Sequence, residues 1–418
     1  MKGLAPLRAG LRWLRDPYAV LDEARARHGL TFWLDLPFAG RALVTGDPLL
    51  VREITGHPDL DAGRGIAALR EVMGDRSLIT LDGADHLARR RIVAPLFAGR
   101  EIERLDGITA RTTLEALETT APRREVAIYD LARRISLRVI LRLLYGELPG
   151  SETGRAERLV DAFLLSFESP WVLFLKPLHV DLGPISPWGR ALRNRERLRR
   201  DLRQRIAACR RGEAPEDAGL ARIVREGADL ADDEIATEVL ALLLFGHDTG
   251  AAALAWAFAH LHAHPEALER ARAEPDYLEA CLKESMRLCP VVAHLTRVAR
   301  RDLTIGGHAV PAGSRLFPSA YLAQRNPEVF PQPDRFRPER FLDGQGYEGS
   351  YFPFGFSPRT CIGRHFVSRQ MRLITSTILR HADLAFAPGY ESRPERRLVL
   401  ILPRAGTPMV LERRREAA

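Results

Sequence analysis

The chain has 418 residues, of which 46% are hydrophobic, so it can bury a large core with a cofactor inside it. Its formal net charge of +8 comes almost entirely from arginine, which is interleaved with aspartate and glutamate along helical stretches. This interleaving is typical of solvated helix faces and argues against a nucleic-acid-binding protein. The four cysteines show neither paired spacing nor the density of a disulfide framework, which favours a reducing cytoplasmic location.

The N-terminal part of the chain is predicted to contain a helix and a β-hairpin. Residues 16–28 predict an amphipathic helix that ends at Gly29, and residues 31–44 alternate with turn signals at Pro37 and Gly40. Residues 1–16 carry charge every few positions and lack the apolar segment of a signal peptide or membrane anchor. We therefore expect a soluble protein without a membrane anchor.

Helical patterns dominate from about residue 49 to residue 287, and residues 231–262 form the longest predicted helix. The apolar run 239–259 has the composition of a transmembrane segment, but the motif Gly246-His247-Asp248-Thr249 interrupts it. Such polar residues inside a membrane would require an ion pair or a pore. A buried helix with a functional interruption is the better interpretation.

The last third of the chain changes character. Short strands are predicted at residues 292–305, at Val310 and at residues 315–317, and residues 326–349 read as a long irregular loop. A helix is predicted just after Cys361, followed by strands at 382–386 and 398–402. No linker is visible, so we expect one structural unit over residues 1–418 that is mainly α with a small β portion.

The segment Phe352-Pro-Phe354-Gly-Phe-Ser-Pro-Arg359-Thr-Cys361-Ile-Gly363 is the most informative in the chain. Its turn residues precede a helical pattern, so the thiol of Cys361 lies near a helix N-terminus, where backbone N–H groups can lower its pKa. Arg359 adds positive charge nearby, and Phe354 can shield one side from water. These features suit a thiolate that ligates iron.

Two other roles remain open for Cys361 from these residues alone. A buried structural cysteine is the commoner fate of a free thiol, and we keep that assignment for Cys209, Cys281 and Cys289. A cysteine hydrolase is a further alternative, although no catalytic base can be placed from the sequence.

This segment resembles the haem-binding loop of the cytochrome P-450 family. Phe354, Arg359, Cys361 and Gly363 match the family pattern, while Ser357 stands where the family usually has glycine. The resemblance implies the P-450 fold, with a long central helix over haem b and Cys361 as the axial ligand of its iron. Because glycine permits a positive φ, serine there implies either a different backbone or strain.

A second motif joins a helix to the irregular loop. Glu284 and Arg287 lie three residues apart on a predicted helix, close enough to pair, and Arg340 follows in Pro338-Glu-Arg340-Phe341. By itself, this spacing is weak evidence for a functional pair. The resemblance implies a structural Glu284–Arg287–Arg340 network that holds the loop beneath the haem.

His86-Leu-Ala-Arg-Arg90 places two donors four residues apart on one helix face. The alternative is a surface helix with a basic stripe, which Arg89 and Arg91 favour. The resemblance implies that His86 and Arg90 hold the haem propionates together with Arg297 and Arg359. Arginine suits this role because its guanidinium group can bind a propionate carboxylate with paired hydrogen bonds.

Gly246 and Thr249 weaken the long helix, and a kink there could open space for O₂ and ordered water. Cleavage of the O–O bond requires protons, so the resemblance implies catalytic roles for Asp248 as a proton relay and Thr249 as the group that holds water. By spacing alone, a buried hydrogen bond of Asp248 without a catalytic role is the alternative. Phe245 replaces the family's usual small residue and would narrow the pocket if it faces the haem.

The resemblance also implies where a substrate would bind. The expected pocket residues are Leu242, Phe245, Val292, His294 and Leu295, with further contributions from the turn near Arg393. Phe163, Phe167, Trp171, Phe174 and Leu175 form either a hydrophobic mouth or part of the core. This content favours a small lipophilic substrate such as a terpenoid, fatty acid or polyketide.

No flavin or nicotinamide fingerprint is visible, so electrons are expected from a separate protein. Arg89, Arg91, Arg364 and Arg369 could form a basic face for an acidic ferredoxin or flavodoxin. The leading hypothesis is a monooxygenase that uses O₂ and two electrons. The alternatives are a peroxide-driven or isomerising haem-thiolate enzyme and a non-catalytic haem-binding sensor.

Overall fold

Helices make up most of the described part of the chain. The computed structural model describes residues 10, 12–36, 40–166, 179–215, 217–344, 347 and 349–414. The helices are α1 Pro17–His28, α2 Pro48–Gly56, α3 Ala67–Met73, α4 Gly83–Val93, α5 Arg100–Glu118, α6 Ile128–Tyr145, α7 Gly150–Leu165, α8 Pro187–Arg210, α9 Gly219–Glu226, α10 Asp232–Phe245, α11 Asp248–Ala263, α12 Pro265–Ala273, α13 Pro275–Leu288, α14 Ala320–Ala323 and α15 Arg364–His381.

The strands form small sheets. They are β1 Thr31–Leu36, β2 Gly40–Thr45, β3 Leu60–Asp61, β4 Glu125–Ala127, β5 Arg297–Ala299, β6 Leu303–Ile305, β7 His308–Val310, β8 Arg315–Pro318, β9 Ala382–Phe386, β10 Pro394–Arg397, β11 Leu400–Pro403 and β12 Pro408–Arg414. The largest sheet has the order β1-β2-β8-β5-β3, in which β2 and β8 are parallel and the other neighbours antiparallel. The predicted fold class, mainly α with a small β portion, is confirmed.

The predicted N-terminal helix and hairpin are confirmed. Helix α1 starts after Asp16, whose carboxylate accepts a hydrogen bond from the Ala19 N–H at 3.1 Å, so one free N–H of the first turn is satisfied. Strands β1 and β2 pair in antiparallel register, with Thr31 opposite Thr45. The predicted turn residue Pro37 lies outside the described residues.

The predicted long helix is two helices, α10 and α11, that meet at Gly246 and His247. A Cβ atom on Gly246 would lie 2.4 Å from the Leu242 carbonyl oxygen and 2.5 Å from Cδ1 of Ile140 on α6, so only glycine fits. The ring of His247 fills the break, and its Nδ1 donates to the Leu243 carbonyl at 2.6 Å. This span is long and apolar enough to cross a membrane, but 78% of its apolar window is buried inside the protein.

The C-terminal third differs from the prediction in two places. The strand expected over 292–305 is present only in β5 and β6. Residues 292–296 line a cavity, and the Leu295 N–H donates to the Pro318 carbonyl at the end of β8 at 2.8 Å. The last predicted strand begins at Leu400 and not at residue 398, since Leu398 adopts a positive φ of 57° between β10 and β11. The irregular loop is confirmed where it is described, with a 3₁₀ turn at Pro338–Phe341.

The main core is built around α11, which packs against α6 and α13. Phe163 is 1% exposed and belongs to this core, so of the two alternatives, a hydrophobic mouth or part of the core, the core is confirmed for Phe163. Phe167, Trp171, Phe174 and Leu175 lie outside the described residues.

Candidate active site

One cavity of about 620 Å³ lies next to the break between α10 and α11. Its lining includes the expected cofactor-binding residues His86, Arg90, Arg297, Phe354, Arg359, Cys361 and Gly363 and the expected pocket residues Leu242, Phe245, Val292, His294 and Leu295. Its size is within the range of sites that hold cofactors and small ligands. Residues from distant parts of the chain therefore share one site.

Cys361 lies three residues before α15 and borders this cavity. Its N–H donates to the Phe354 carbonyl at 2.7 Å, which closes the loop around the thiol. Burial raises the pKa of the Cys361 thiol, although the Gly363 N–H, Arg90 and Arg364 act in the opposite direction. These donors act in the direction that the sequence argument expects, and a metal ion at the sulfur would favour the thiolate further.

Ser357 has a φ of 65°, the left-handed conformation that favours glycine. Its carbonyl accepts hydrogen bonds from the Thr360 N–H at 3.0 Å and the Thr360 hydroxyl at 2.8 Å, which close the tight turn before Cys361. Of the two outcomes expected at this position, the chain adopts the strained one. The strain is of the order of 1–2 kcal/mol.

His86 and Arg297 are buried cavity residues. Burial, then the positive charges of Arg359 and Arg90, lower the pKa of His86 to about 4, so its ring is neutral at pH 7. The Nη2 atom of Arg297 is buried and has no hydrogen-bond partner among the described residues. Burial, then Arg359, lower the pKa of Arg297 to about 10. An anionic group in the cavity would stabilise this cation.

Arg359 connects the cysteine loop to the segment that precedes α4. Its guanidinium donates to the carbonyl oxygens of Leu81 at 2.7 Å, Ile79 at 2.8 Å and Leu78 at 3.3 Å. Its Nη2 also lies 3.8 Å from a carboxylate oxygen of Asp82. Because α4 carries His86 and Arg90, these contacts fix the position of two further cavity residues relative to Cys361.

The expected basic face needs a correction at Arg89. This residue is 4% exposed, and its guanidinium lies 3.3 Å from Glu234 and 3.5 Å from Glu238 on α10. Arg89 does not belong to the basic face, because its ion pairs with the two carboxylates keep its side chain buried. Arg91 and Arg364 are exposed.

Arg369 is only partly available to a partner. Its Nε bonds to both carboxylate oxygens of Asp106, at 2.6 and 2.8 Å. This pairing neutralises much of its charge, so Arg91 and Arg364 are the stronger members of the expected basic face.

Glu284 and Arg287 form a fully buried, bidentate ion pair with N···O distances of 2.7 and 2.8 Å. Arg340 Nε lies 3.3 Å from Glu284, and the Arg337 N–H donates to the same oxygen at 2.8 Å. Arg287 also donates to the Pro333 carbonyl at 2.7 Å. The expected contacts between α13 and the irregular loop are present.

The sequence argument missed Gln324, which extends this network. Its side-chain amide donates to the carbonyls of Met286 at 2.9 Å and Arg287 at 3.0 Å and accepts from the Phe352 N–H at 3.1 Å. Gln324 therefore links α13 to the start of the cysteine loop. A lone glutamine in a sequence carries no signal for such a role.

Thr249 and Asp248 have different positions although they are adjacent. Thr249 borders the cavity, and its hydroxyl donates to the Phe245 carbonyl at 3.0 Å. Asp248 is not part of the lining; its carboxylate accepts a hydrogen bond from the hydroxyl of Tyr129 on α6. Tyr129 was missed because it lies far away in the sequence. Phe245 borders the cavity and reduces its volume.

The comparison with protein families decides the identity of this chain. A model of the cytochrome P450 family matches residues 6–408. The chain belongs to the cytochrome P450 family. As a member of this family it is an oxidoreductase of the monooxygenase type, which binds haem b and uses O₂ and a redox partner.

Bacterial relatives support this assignment. This P450 is 30% identical over 394 residues to "Putative cytochrome P450 137" of Mycobacterium tuberculosis (strain CDC 1551 / Oshkosh), covering 91% of this chain and 83% of that protein. It is also 30% identical over 417 residues to "Putative cytochrome P450 138" of Mycobacterium bovis, covering 97% and 94% of the two chains.

Solved structures share the fold. CYP175A1 from Thermus thermophilus has a TM-score of 0.79 and 26% identity, with 100% of this chain and 99% of that chain covered. The retinoic acid-bound cyanobacterial CYP120A1 has a TM-score of 0.80 and 23% identity, with 96% and 97% covered. The predicted P450 fold is therefore confirmed.

Proposed function

We propose that this P450 hydroxylates or otherwise oxidises a small lipophilic molecule, using O₂ and two electrons from a separate acidic ferredoxin or flavodoxin. One observation carries the proposal: a single cavity joins the Cys361 thiol, the Thr249 hydroxyl and the buried cation of Arg297 to a mainly apolar wall, and the Nη2 atom of Arg297 has no hydrogen-bond partner among the described residues. Residues 6–408 match one family model, which supports treating residues 1–418 as one unit. A cytoplasmic location is part of the same proposal.

The residues of the cavity fit haem b. Cys361 would supply the axial thiolate, and Phe354 and Gly363 would lie beside it. The basic residues His86, Arg90, Arg297 and Arg359 would face the two propionates. The buried Nη2 of Arg297 has a donor to offer, which a carboxylate would accept. When bound, the haem supplies the activation of O₂, favoured by the electron-rich thiolate.

Thr249 and Asp248 would handle protons on the other side of the cavity. The Thr249 hydroxyl lies at the cavity wall, where it can hold a water molecule close to the reacting oxygen. Asp248 is half-buried, and one of its carboxylate oxygens is bonded to Tyr129, which leaves the other oxygen to take part in proton transfer. Tyr129 would thus position the relay.

The substrate pocket would be formed by Leu242, Phe245, Val292, His294 and Leu295. Most of these side chains are apolar, which supports a lipophilic substrate such as a terpenoid, a fatty acid or a polyketide. Because Phe245 takes space at the break in the long helix, the substrate would approach Thr249 past an aromatic ring.

The carbon monoxide spectrum of the reduced protein tests the thiolate assignment. We expect a strongly red-shifted Soret band in the native protein and its loss in Cys361→Ala, because only a thiolate ligand produces this shift. Cys289→Ala is the matched control, since Cys289 is a buried thiol whose pKa burial raises to about 11. Survival of the band in Cys361→Ala would contradict the proposal.

The alternatives predict different turnover. A haem sensor would form no product with O₂ and a reducing partner, and a peroxide-driven enzyme would form product with hydrogen peroxide but not with O₂. For the redox partner, we expect stopped-flow reduction to slow as salt rises, because Arg91 and Arg364 are exposed and salt screens their attraction for an acidic surface. Reduction rates independent of ionic strength would contradict an acidic partner.

A further inference from the structure

A second group of polar side chains borders the cavity, apart from those assigned to the haem. His294 lies in the segment after α13, and Arg396 lies on β10. The positive charge of Arg396 lowers the pKa of His294, whereas the positive charges of Arg359 and Arg90 lower the pKa of His86. His294 and Arg396 are thus a pair distinct from the four basic residues assigned to the haem.

His294 is held as a neutral hydrogen-bonding group. Its ring packs between those of Trp13 and Phe317, with centroid distances of 5.3 and 4.3 Å. Its Nδ1 atom is buried and has no hydrogen-bond partner among the described residues. Burial, then Arg396, lower the pKa of His294 to about 3, so the ring is neutral at pH 7. A buried ring nitrogen without a partner is costly, which a bound ligand would relieve.

Arg396 is held beside the same tryptophan. Its Nε donates to the Leu398 carbonyl at 3.0 Å, and its Nη1 donates to the Trp13 carbonyl at 3.1 Å. These carbonyls orient the guanidinium. Burial lowers the pKa of Arg396 to about 10, so the group is still a cation at pH 7, and an anion bound beside it would regain part of the lost solvation.

We propose that His294 and Arg396 form a carboxylate-binding subsite, and that the substrate is an apolar molecule with one carboxylate. This inference rests on the proposed function, in which the same cavity holds the substrate. The two carboxylate oxygens can accept from the ring N–H of His294 and from the guanidinium of Arg396. Leu36, Val292 and Ile401 also line the cavity and would contact the apolar body.

The test uses the haem-loaded full chain and three probes, dodecanoic acid, its methyl ester and 1-dodecanol. Affinity is read from the substrate-induced change in the haem spin-state spectrum. We expect the acid to bind about 10-fold tighter than the methyl ester, and Arg396→Gln to weaken the acid by roughly 10- to 100-fold with little change for the alcohol. His294→Leu should weaken the acid less, because it removes a neutral donor.

Two further variants separate charge from structure. Arg404→Gln is the matched control, because Arg404 follows the same hairpin but is exposed and does not line the cavity. It should leave all three affinities unchanged. Arg396→Lys keeps the positive charge and should keep most of the preference for the acid, even if the contact with Trp13 is weakened.

The inference is overturned if the native protein binds acid and methyl ester equally, or if Arg396→Gln weakens all three probes to the same extent. Failure of the proposed function would be recognised separately, by a reduced carbon monoxide spectrum without the thiolate band. A normal band together with no preference for the acid would reject the subsite alone.

Discussion

The hydroxyl of Tyr129 on α6 donates a hydrogen bond to the carboxylate of Asp248 at the start of α11. Burial, then the charge of Asp248, raise the pKa of Tyr129, so the phenol remains a proton donor at neutral pH. The guanidinium of Arg397 lies 5.0 Å from the centre of the Tyr129 ring. Asp248 is therefore held on the α6 side of the long helix, while its neighbour Thr249 borders the cavity.

Asp248→Asn tests the proposed relay. We expect product formation to fall about 100-fold, because the amide cannot transfer a proton as the carboxylate does, with substrate affinity unchanged. The coupling of electron consumption to product and the solvent isotope effect on turnover measure this change. A variant that turns over at the native rate would remove Asp248 from the mechanism.

Tyr129→Phe tests the positioning role of the hydroxyl. We expect a smaller loss than in Asp248→Asn, seen as more hydrogen peroxide released per electron pair and an altered solvent isotope effect, without a change in substrate affinity. Tyr145→Phe is the matched control, since Tyr145 is also a buried tyrosine of α6 and does not contact Asp248. Equal coupling in the two tyrosine variants would show that Tyr129 has only a packing role.

Glu284→Gln should destabilise the protein strongly. The change leaves the fully buried Arg287 without its countercharge, for which we expect a loss of about 3–5 kcal/mol in the free energy of unfolding. Glu279→Gln on the same helix is the control, because its pair with Lys283 is exposed and should contribute less than about 1 kcal/mol. Chemical denaturation of both variants measures the difference, and similar losses would contradict a special role for the buried network.

Ser357→Gly should stabilise the cysteine loop. Glycine relieves about 1–2 kcal/mol of left-handed strain but loses about 0.5–1 kcal/mol of chain entropy, so a net gain of about 1 kcal/mol or less is expected. Gln332→Gly is the control, since Gln332 has a φ of 54° and does not line the cavity. Both variants should gain in thermal stability, but only Ser357→Gly should alter the haem spectrum. A loss of stability in Ser357→Gly would show that contacts of the serine side chain compensate the backbone strain at this position.

Glu238 makes the stability of the fold depend on pH. Burial raises the pKa of this carboxyl to about 7, against the smaller opposing effects of the Leu78 N–H and Arg89. Between pH 4.5 and pH 7 the folded protein binds more protons at Glu238 than the unfolded chain, so its contribution to stability falls as pH rises, by about 3 kcal/mol in total.

The comparison of native protein with Glu238→Gln across this pH range measures the effect, and native stability should fall relative to the variant. Glu234 is the control of opposite sign. Burial acts to raise the pKa of Glu234, but the Ala231 N–H and Arg76 outweigh burial and lower it. The contribution of Glu234 to stability is therefore lost as pH falls, and Glu234→Gln should abolish this part of the pH dependence. A constant difference between native protein and Glu238→Gln would show that Glu238 has an ordinary pKa.

Sequence patterns predicted secondary structure well where the interactions that form it join residues close together in the chain. The ends of α1 and the pairing of β1 with β2 depend on residues close to one another in the sequence. The break at Gly246 and His247 was also predicted, although Ile140 on α6 contributes to the need for glycine there. Residues 292–296 were wrongly predicted as part of a strand, because an apolar segment has the same sequence pattern whether it packs in a sheet or lines a cavity. Arg89 was misassigned because its two carboxylate partners lie about 150 residues away in the sequence.

By itself, the sequence determined the family, the motif around Cys361 and the set of basic residues suited to a dianionic cofactor, since these depend on residue type and short spacing. Only the tertiary structure decided that Tyr129 holds Asp248, that Gln324 joins α13 to the cysteine loop, and that His294 and Arg396 share the cavity. Such pairs meet because helices and strands pack across the core. Burial, which sets the pKa values of Cys361 and Glu238, is likewise a property of that packing and not of neighbouring residues in the chain.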